Sequence, residues 1–88
     1  MEVLIAKRTC TDEVGTTYEL EYRLVTESNC YNGKTCKDYG ICICGNGVDT
    51  VRIPSVTTDR QTIDALMRLL IRNCVFPISL PDILQDVL

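Results

Sequence analysis

The sequence predicts an α+β protein: a three- to four-stranded antiparallel meander sheet with one face covered by a long helix and a short C-terminal helix. Three observations predict it. Within the run Tyr18 to Val25, residues Tyr18 to Leu24 alternate strictly between apolar and polar, the period of a strand with one buried and one wet face. Turn signals at Asn32-Gly33 and Gly45-Asn46-Gly47 separate that run from two further apolar ones, Tyr39 to Cys44 and Val48 to Ile53. After Pro54 the apolar spacing lengthens to about 3.6 residues, the helical period. Two layers around one core is a standard arrangement for strands followed by helices.

The elements follow in chain order. Glu2 to Thr9 reads as a first strand whose buried face is open, since Val3/Ile5 and Leu4/Ala6 both qualify; a loop around Asp12 to Thr16 follows. In the second strand Tyr18, Leu20, Tyr22 and Leu24 share the core face, with Glu19, Glu21, Arg23 and Val25 opposite. A two-residue turn at Asn32-Gly33 sets Leu24 against Ile41 and Tyr22 against Ile43, and Arg23 and Glu21 against Cys42 and Cys44 on the other face. At the next turn a two-residue loop would face Ile43 with Thr50 and Ile41 with Arg52. A three-residue loop over Gly45-Asn46-Gly47 pairs Ile41 with Val51 and Tyr39 with Ile53, which keeps the apolar faces together and is therefore expected. The sheet then occupies residues 1–54.

The long helix is expected over 58–74. Thr58 and Gln61 form a capping box, and Asp59 adds negative charge to the first turn. Ile63, Leu66, Met67, Leu70 and Cys74 mark its core stripe, and Arg60, Asp64, Arg68 and Arg72 the opposite face. Pro77 ends it. A short terminal helix follows over 79–88, with Ser79 as N-cap, Pro81 and Asp82 in the first turn, and an Ile78/Ile83 staple. Its apolar residues are Leu80, Ile83, Leu84, Val87 and Leu88, and so short a helix must dock to be stable.

Composition narrows the function. The chain has 88 residues and 9.9 kDa, enough for one domain with a thin stability margin. At 45% apolar and 24% charged, with mean hydropathy +0.07, it folds rather than remaining disordered. No apolar run approaches a membrane span. Met1 to Arg8 lacks the features of a secretory signal, so a cytoplasmic setting with six reduced thiols is expected over a disulfide framework. Net charge is −3 and pI about 4.7, with no basic face; nucleic acid and anionic membrane are therefore not expected partners.

Thr58-Asp59-Arg60, Leu69-Leu70, Asn73, the run Val75-Phe76-Pro77-Ile78-Ser79-Leu80 with Asp82, and upstream Tyr22-Arg23-Leu24 and Tyr39-Gly40-Ile41 carry a family likeness. With these residues the chain resembles a small uncharacterised domain family of spore-forming Firmicutes, a domain of unknown function. The resemblance implies a bacterial cytosolic setting and no activity. In that family positions such as Cys42 and Cys44 more often carry charged residues, so a thiol site there would not be a family property.

The residues that carry chemistry do not converge. Without histidine, a cysteine nucleophile lacks its usual base. Glu19 and Glu21 lie about 7 Å apart on a strand face, but a solvated face explains them better than a glycosidase pair. Ser28, Ser55 and Ser79 have no nucleophile-elbow context, and there is no phosphate-binding loop. No catalytic residue, cofactor or metal is expected. The candidate thiol site consists of Cys30, Cys36, Cys42 and Cys44: Cys36 lies near Lys34 and Lys37, which favour the thiolate, Cys30 could pair with it across the hairpin loop, and Cys42/Cys44 share a face. No Cys-x-x-Cys spacing supports zinc. Cys74 reads as core. The expected function is a non-enzymatic protein–protein interaction or regulatory module, with a protein partner or a second copy meeting Val25, Leu69 and Ile71. The alternative is a thiol-dependent protein, zinc-binding or redox-sensing, using Cys36 and Cys42/Cys44.

Overall fold

Strict alternation produces the longest strand of the protein, and the others assemble around it. The computed structural model describes residues 1–87, with all their side chains except those of Tyr31 and Val87; the apolar roles expected of Val87 and Leu88 lie outside the described residues. Four antiparallel strands, β1 (Glu2–Thr11), β2 (Thr17–Tyr31), β3 (Lys34–Gly45) and β4 (Val48–Thr57), form one sheet in the order β1-β2-β3-β4. Helix α1 (Arg60–Arg72), a 3-10 turn (Pro77–Ser79) and helix α2 (Leu80–Val87) follow.

The β2–β3 register is the one the Asn32-Gly33 turn predicts: Leu24 faces Ile41, Tyr22 faces Ile43, Arg23 faces Cys42 and Glu21 faces Cys44. Asn32 and Gly33 have φ of 51° and 78°, as a turn twisted like its strands requires. Past Glu27 and Asp38 the two strands run on as a ribbon with no third strand beside it among the described residues, and the molecule extends over 51 × 24 × 18 Å.

The other two pairings contain irregularities. β1 places Ala6, Arg8 and Cys10 beside Tyr22, Leu20 and Tyr18; a bulge at Ile5 then shifts the register so that Val3 faces Leu24. Neither alternating set of β1 is therefore core-facing along the whole strand, because one extra residue inverts the alternation. The three-residue β3–β4 loop is not formed. Gly45 faces Val48 around a two-residue Asn46-Gly47 turn, and an irregularity between Ile43 and Gly45 brings Ile43 against Val51 and Ile41 against Ile53. The demand that apolar residues face each other is met by a bulge rather than by loop length. A second irregularity carries the pairing from Ile41–Ile53 to Tyr39–Thr57. Pro54 lies in the skipped stretch, where its missing N–H removes no ladder bond. β4 thus runs beyond the expected limit at residue 54.

Helix α1 is 13 residues long, shorter than the expected 58–74. Asp59, with φ −93° and ψ 117°, is the N-cap, not Thr58. Its backbone N–H donates to Thr57 Oγ1 at 3.1 Å, and its carboxylate accepts the Thr62 hydroxyl, which holds the Asp59 carboxyl below its ordinary range. The helix ends before Pro77 because Cys74 turns left-handed at φ +48°. Val75 N–H donates to Leu70 O at 3.1 Å and Cys74 N–H to Ile71 O at 3.2 Å, the paired bonds of a Schellman cap, with Leu70 and Val75 both buried. Cys74 is therefore the residue past the cap, not part of the helical stripe. Downstream, Ser79 ends the 3-10 turn with its N–H bonded to Phe76 O at 3.0 Å and directly precedes α2. Ile78 is 83% exposed and makes no staple with Ile83.

The core joins the sheet to the helices through Leu20, Tyr22, Ile41 and Ile43 on one side and Ile63, Leu70 and Leu80 on the other, all fully buried. The Tyr22 hydroxyl donates to the Val75 carbonyl at 3.0 Å within it. Among the described residues no helix is long and apolar enough to cross a membrane.

Candidate functional site

The four expected thiol-site residues are not brought together. On the ribbon Cys30 faces Thr35 and Cys36 faces Asn29, so the two cysteines point to opposite sides and do not form a cross-hairpin pair. Cys30 is exposed and Cys36 half-buried. Cys42 and Cys44 do share the outer face, beside Arg23 and Glu21, which form an ion pair at 2.6 Å. From β4, Arg52 reaches Glu2 at 3.0 Å and Glu27 at 3.3 Å, so charge spans that face from β4 to β1. Cys42 is 3% exposed amid these groups. Burial, then the Glu2 carboxylate and Cys44, push its thiol up; Arg52 and Arg23 offset part of this. A raised thiol is a poor nucleophile at neutral pH. Among the described residues no group of three or more metal-ligating side chains gathers.

Sequence reasoning missed the pair that does meet. Cys10, on the core face of β1, and Cys74, just past α1, are joined as a disulfide with their Cα atoms 5.9 Å apart. The expectation of six reduced thiols gives way to one bridge and four free cysteines, while Cys74 does pack against the core, as one half of that bridge. A signal existed in principle: cysteines at the core-facing end of one strand and at a helix terminus. It required both the bulge at Ile5 and the early helix end to be known.

The expected interaction surface is not available as drawn. Val25 is fully buried, lying in the ladder between Glu2 and Gly40 at the level the Arg52 ion pairs span, so it offers no surface. Leu69 and Ile71 are half-buried, and Ile71 packs against the core. Exposed apolar side chains lie elsewhere: Val3, Leu4 and Ile5 on the edge strand β1, at 41–45%, and Val14 and Ile78 at 85% and 83%.

Val14 and Ile78 mark the end of the sheet where the β1–β2 and β3–β4 turns lie. There a groove of about 340 Å³ opens between Tyr18, Val48 and Val51 of the sheet and Phe76, Pro77 and Ile78, with Asp12 and Asp49 completing the lining. The volume is at the small end of the usual range for binding clefts. Tyr18 and Phe76 meet edge to face, ring centroids 5.6 Å apart, and close its floor from both layers. Asp12 is held rigidly: its Oδ1 accepts the Val14 and Thr16 N–H groups at 3.1 and 2.9 Å. Among the described residues, no hydrogen bond or ion pair engages the Asp49 carboxylate, and no cation lines the groove.

The chain belongs to a family of unknown function (DUF6514), whose model matches residues 1–88. No curated protein and no solved structure matches it.

Proposed function

We propose, since membership of this family supplies no activity, that the protein is a non-enzymatic protein–protein interaction module, and that its turn-end groove takes a short partner segment with an apolar side chain beside a lysine or arginine. The observation that carries this is the groove's composition: six apolar residues around two carboxylates and no cation. Apolar walls supply affinity and the carboxylates orient a basic group, the usual division of labour in a cleft. Ile78, 83% exposed at the lip, is an anchor that water does not reward. The reading keeps the cytoplasmic setting expected from the sequence, where a Cys10–Cys74 bridge would be transient rather than permanent.

The dipeptide N-acetyl-Phe-Lys-amide, titrated while backbone amide shifts are followed, tests this. Shifts are expected at Tyr18, Val48, Val51 and Phe76, and Asp49→Asn should weaken binding by about two- to fivefold, the worth of one exposed ion pair. Equal binding of N-acetyl-Phe-Glu-amide, or binding of neither, refutes the groove.

A second reading, self-association, is favoured by one observation: Val3, Leu4 and Ile5 lie exposed on an edge strand whose outer backbone groups have no strand partner among the described residues. A concentration-independent monomer by light scattering would set it aside. The thiol-dependent alternative has less support, because Cys36 and Cys42/Cys44 stand on different parts of the sheet and Cys42 is buried.

A further inference from the structure

We infer that the Cys10–Cys74 bridge is a redox latch on this groove; the inference rests on the groove reading above and adds its regulation. The placement of the two cysteines points there. Cys10 lies two residues before Asp12, and Cys74 two residues before Phe76, so the bridge ties the β1–β2 side of the groove to the Phe76–Ile78 wall across a sequence separation of 64. A change in this one bond changes how firmly the two walls are held.

The backbone at Cys74 is the second observation. It occupies the left-handed position of the Schellman cap, at φ +48°, where glycine is the unstrained residue. A side chain there disfavours the local geometry, and here that side chain's function is its bond to Cys10. Once the bond opens, Cys74 keeps its steric penalty and loses its tether. The segment beyond stays anchored, because Leu80 and Leu84 remain in the core; within the stretch itself the Tyr22 bond to the Val75 carbonyl and the buried Pro77 are the anchors left once the bridge opens. Loosening is therefore confined to the stretch from Cys74 to Ile78, which is the groove wall.

The redox step is a two-electron exchange with a cellular dithiol. A dithiol thiolate attacks Cys74 Sγ, the more accessible sulfur since Cys10 is only 3% exposed, and the S–S bond breaks with the electron pair leaving on Cys10. The second dithiol sulfur then displaces Cys74 from the mixed disulfide. The dithiol is oxidised to its own disulfide, and its two protons end on Cys10 and Cys74. The reverse exchange closes the latch.

The experiment begins with protein isolated without reductant, quenched in acid and alkylated in denaturant, so that the burial of Cys42 does not hide its thiol. Four thiols should be labelled, rising to six after dithiol treatment and unfolding. N-acetyl-Phe-Lys-amide should then bind the reduced protein about tenfold more weakly, as for a wall formed about a tenth of the time. Amide hydrogen exchange at Val75, Phe76 and Ile78 should speed up on reduction. Cys74→Gly removes the bridge and the steric penalty together, so it should fold, bind the peptide with an affinity between those of the two redox states, and not respond to dithiol; a response to dithiol in this variant overturns the latch. Six thiols labelled at the outset overturn the latch, as does equal peptide affinity in both redox states. If the peptide binds neither state, the groove reading falls by itself, and unchanged exchange at Val75 to Ile78 then overturns the latch separately.

Discussion

Replacing Tyr22 with phenylalanine tests how the sheet holds the segment that follows α1. Tyr22 is fully buried in the middle of β2, and its hydroxyl donates to the Val75 carbonyl at 3.0 Å. Phenylalanine keeps the ring, so there is little cavity penalty. What is lost is the net worth of a buried hydrogen bond, plus the cost of leaving a carbonyl oxygen without that partner in a site only 8% exposed. Together these come to about 1.5–2.5 kcal/mol. For a domain of this size that lowers Tm by roughly 8–15 °C. Urea unfolding followed by circular dichroism should show the midpoint falling with the slope unchanged. The same residue has a pH signature. Burial raises the Tyr22 hydroxyl's pKa above its ordinary value, with Arg8 offsetting part of the effect. A raised folded pKa means the contribution is complete below the unfolded value of about 10 and is lost as pH rises through the folded one. Tyr22→Phe should remove that alkaline loss. A destabilisation below about 0.5 kcal/mol would show that the bond contributes little.

Two further outcomes follow from the same geometry. At Gly40 an added Cβ runs into the Ile53 carbonyl and the Pro54 backbone, whereas at Gly33 it meets open space. Gly40→Ala should therefore cost about 3 kcal/mol or prevent folding, and Gly33→Ala, at φ +78°, only about 1 kcal/mol; equal losses in urea melts would contradict the close approach of β4. Among the four free cysteines, Cys30 is exposed and Cys42 is buried with its thiol pushed up by burial and by Glu2. In timed alkylation of the native protein read by peptide mass, Cys30 should label first and Cys42 last, and a fast Cys42 would mean the outer face is open.

Whatever depends on neighbours a few residues away was legible in the chain's local pattern. The alternation from Tyr18 to Leu24 chose the core face of β2, and Asn32-Gly33 set the β2–β3 register, because a left-handed dipeptide and a period of two leave one solution. The change of period after Pro54 located α1, though it misplaced both ends: the cap moved to Asp59, and a left-handed Cys74 halted the helix before Pro77. Other features follow from long-range packing. The bulge at Ile5 settled which β1 residues face inward, a choice that depends on Leu24 and Tyr22 across the ladder rather than on β1 itself. Val25 is buried although it alternates to the outer face, since Glu2 and Gly40 flank it in the folded ladder and Arg52 pairs with Glu2 at that level. The groove and the Cys10–Cys74 bridge require β1, β4 and the post-helix segment to meet at one end of the sheet. Such meetings join residues far apart in the chain, where only the packing of the whole core specifies which side chains become neighbours.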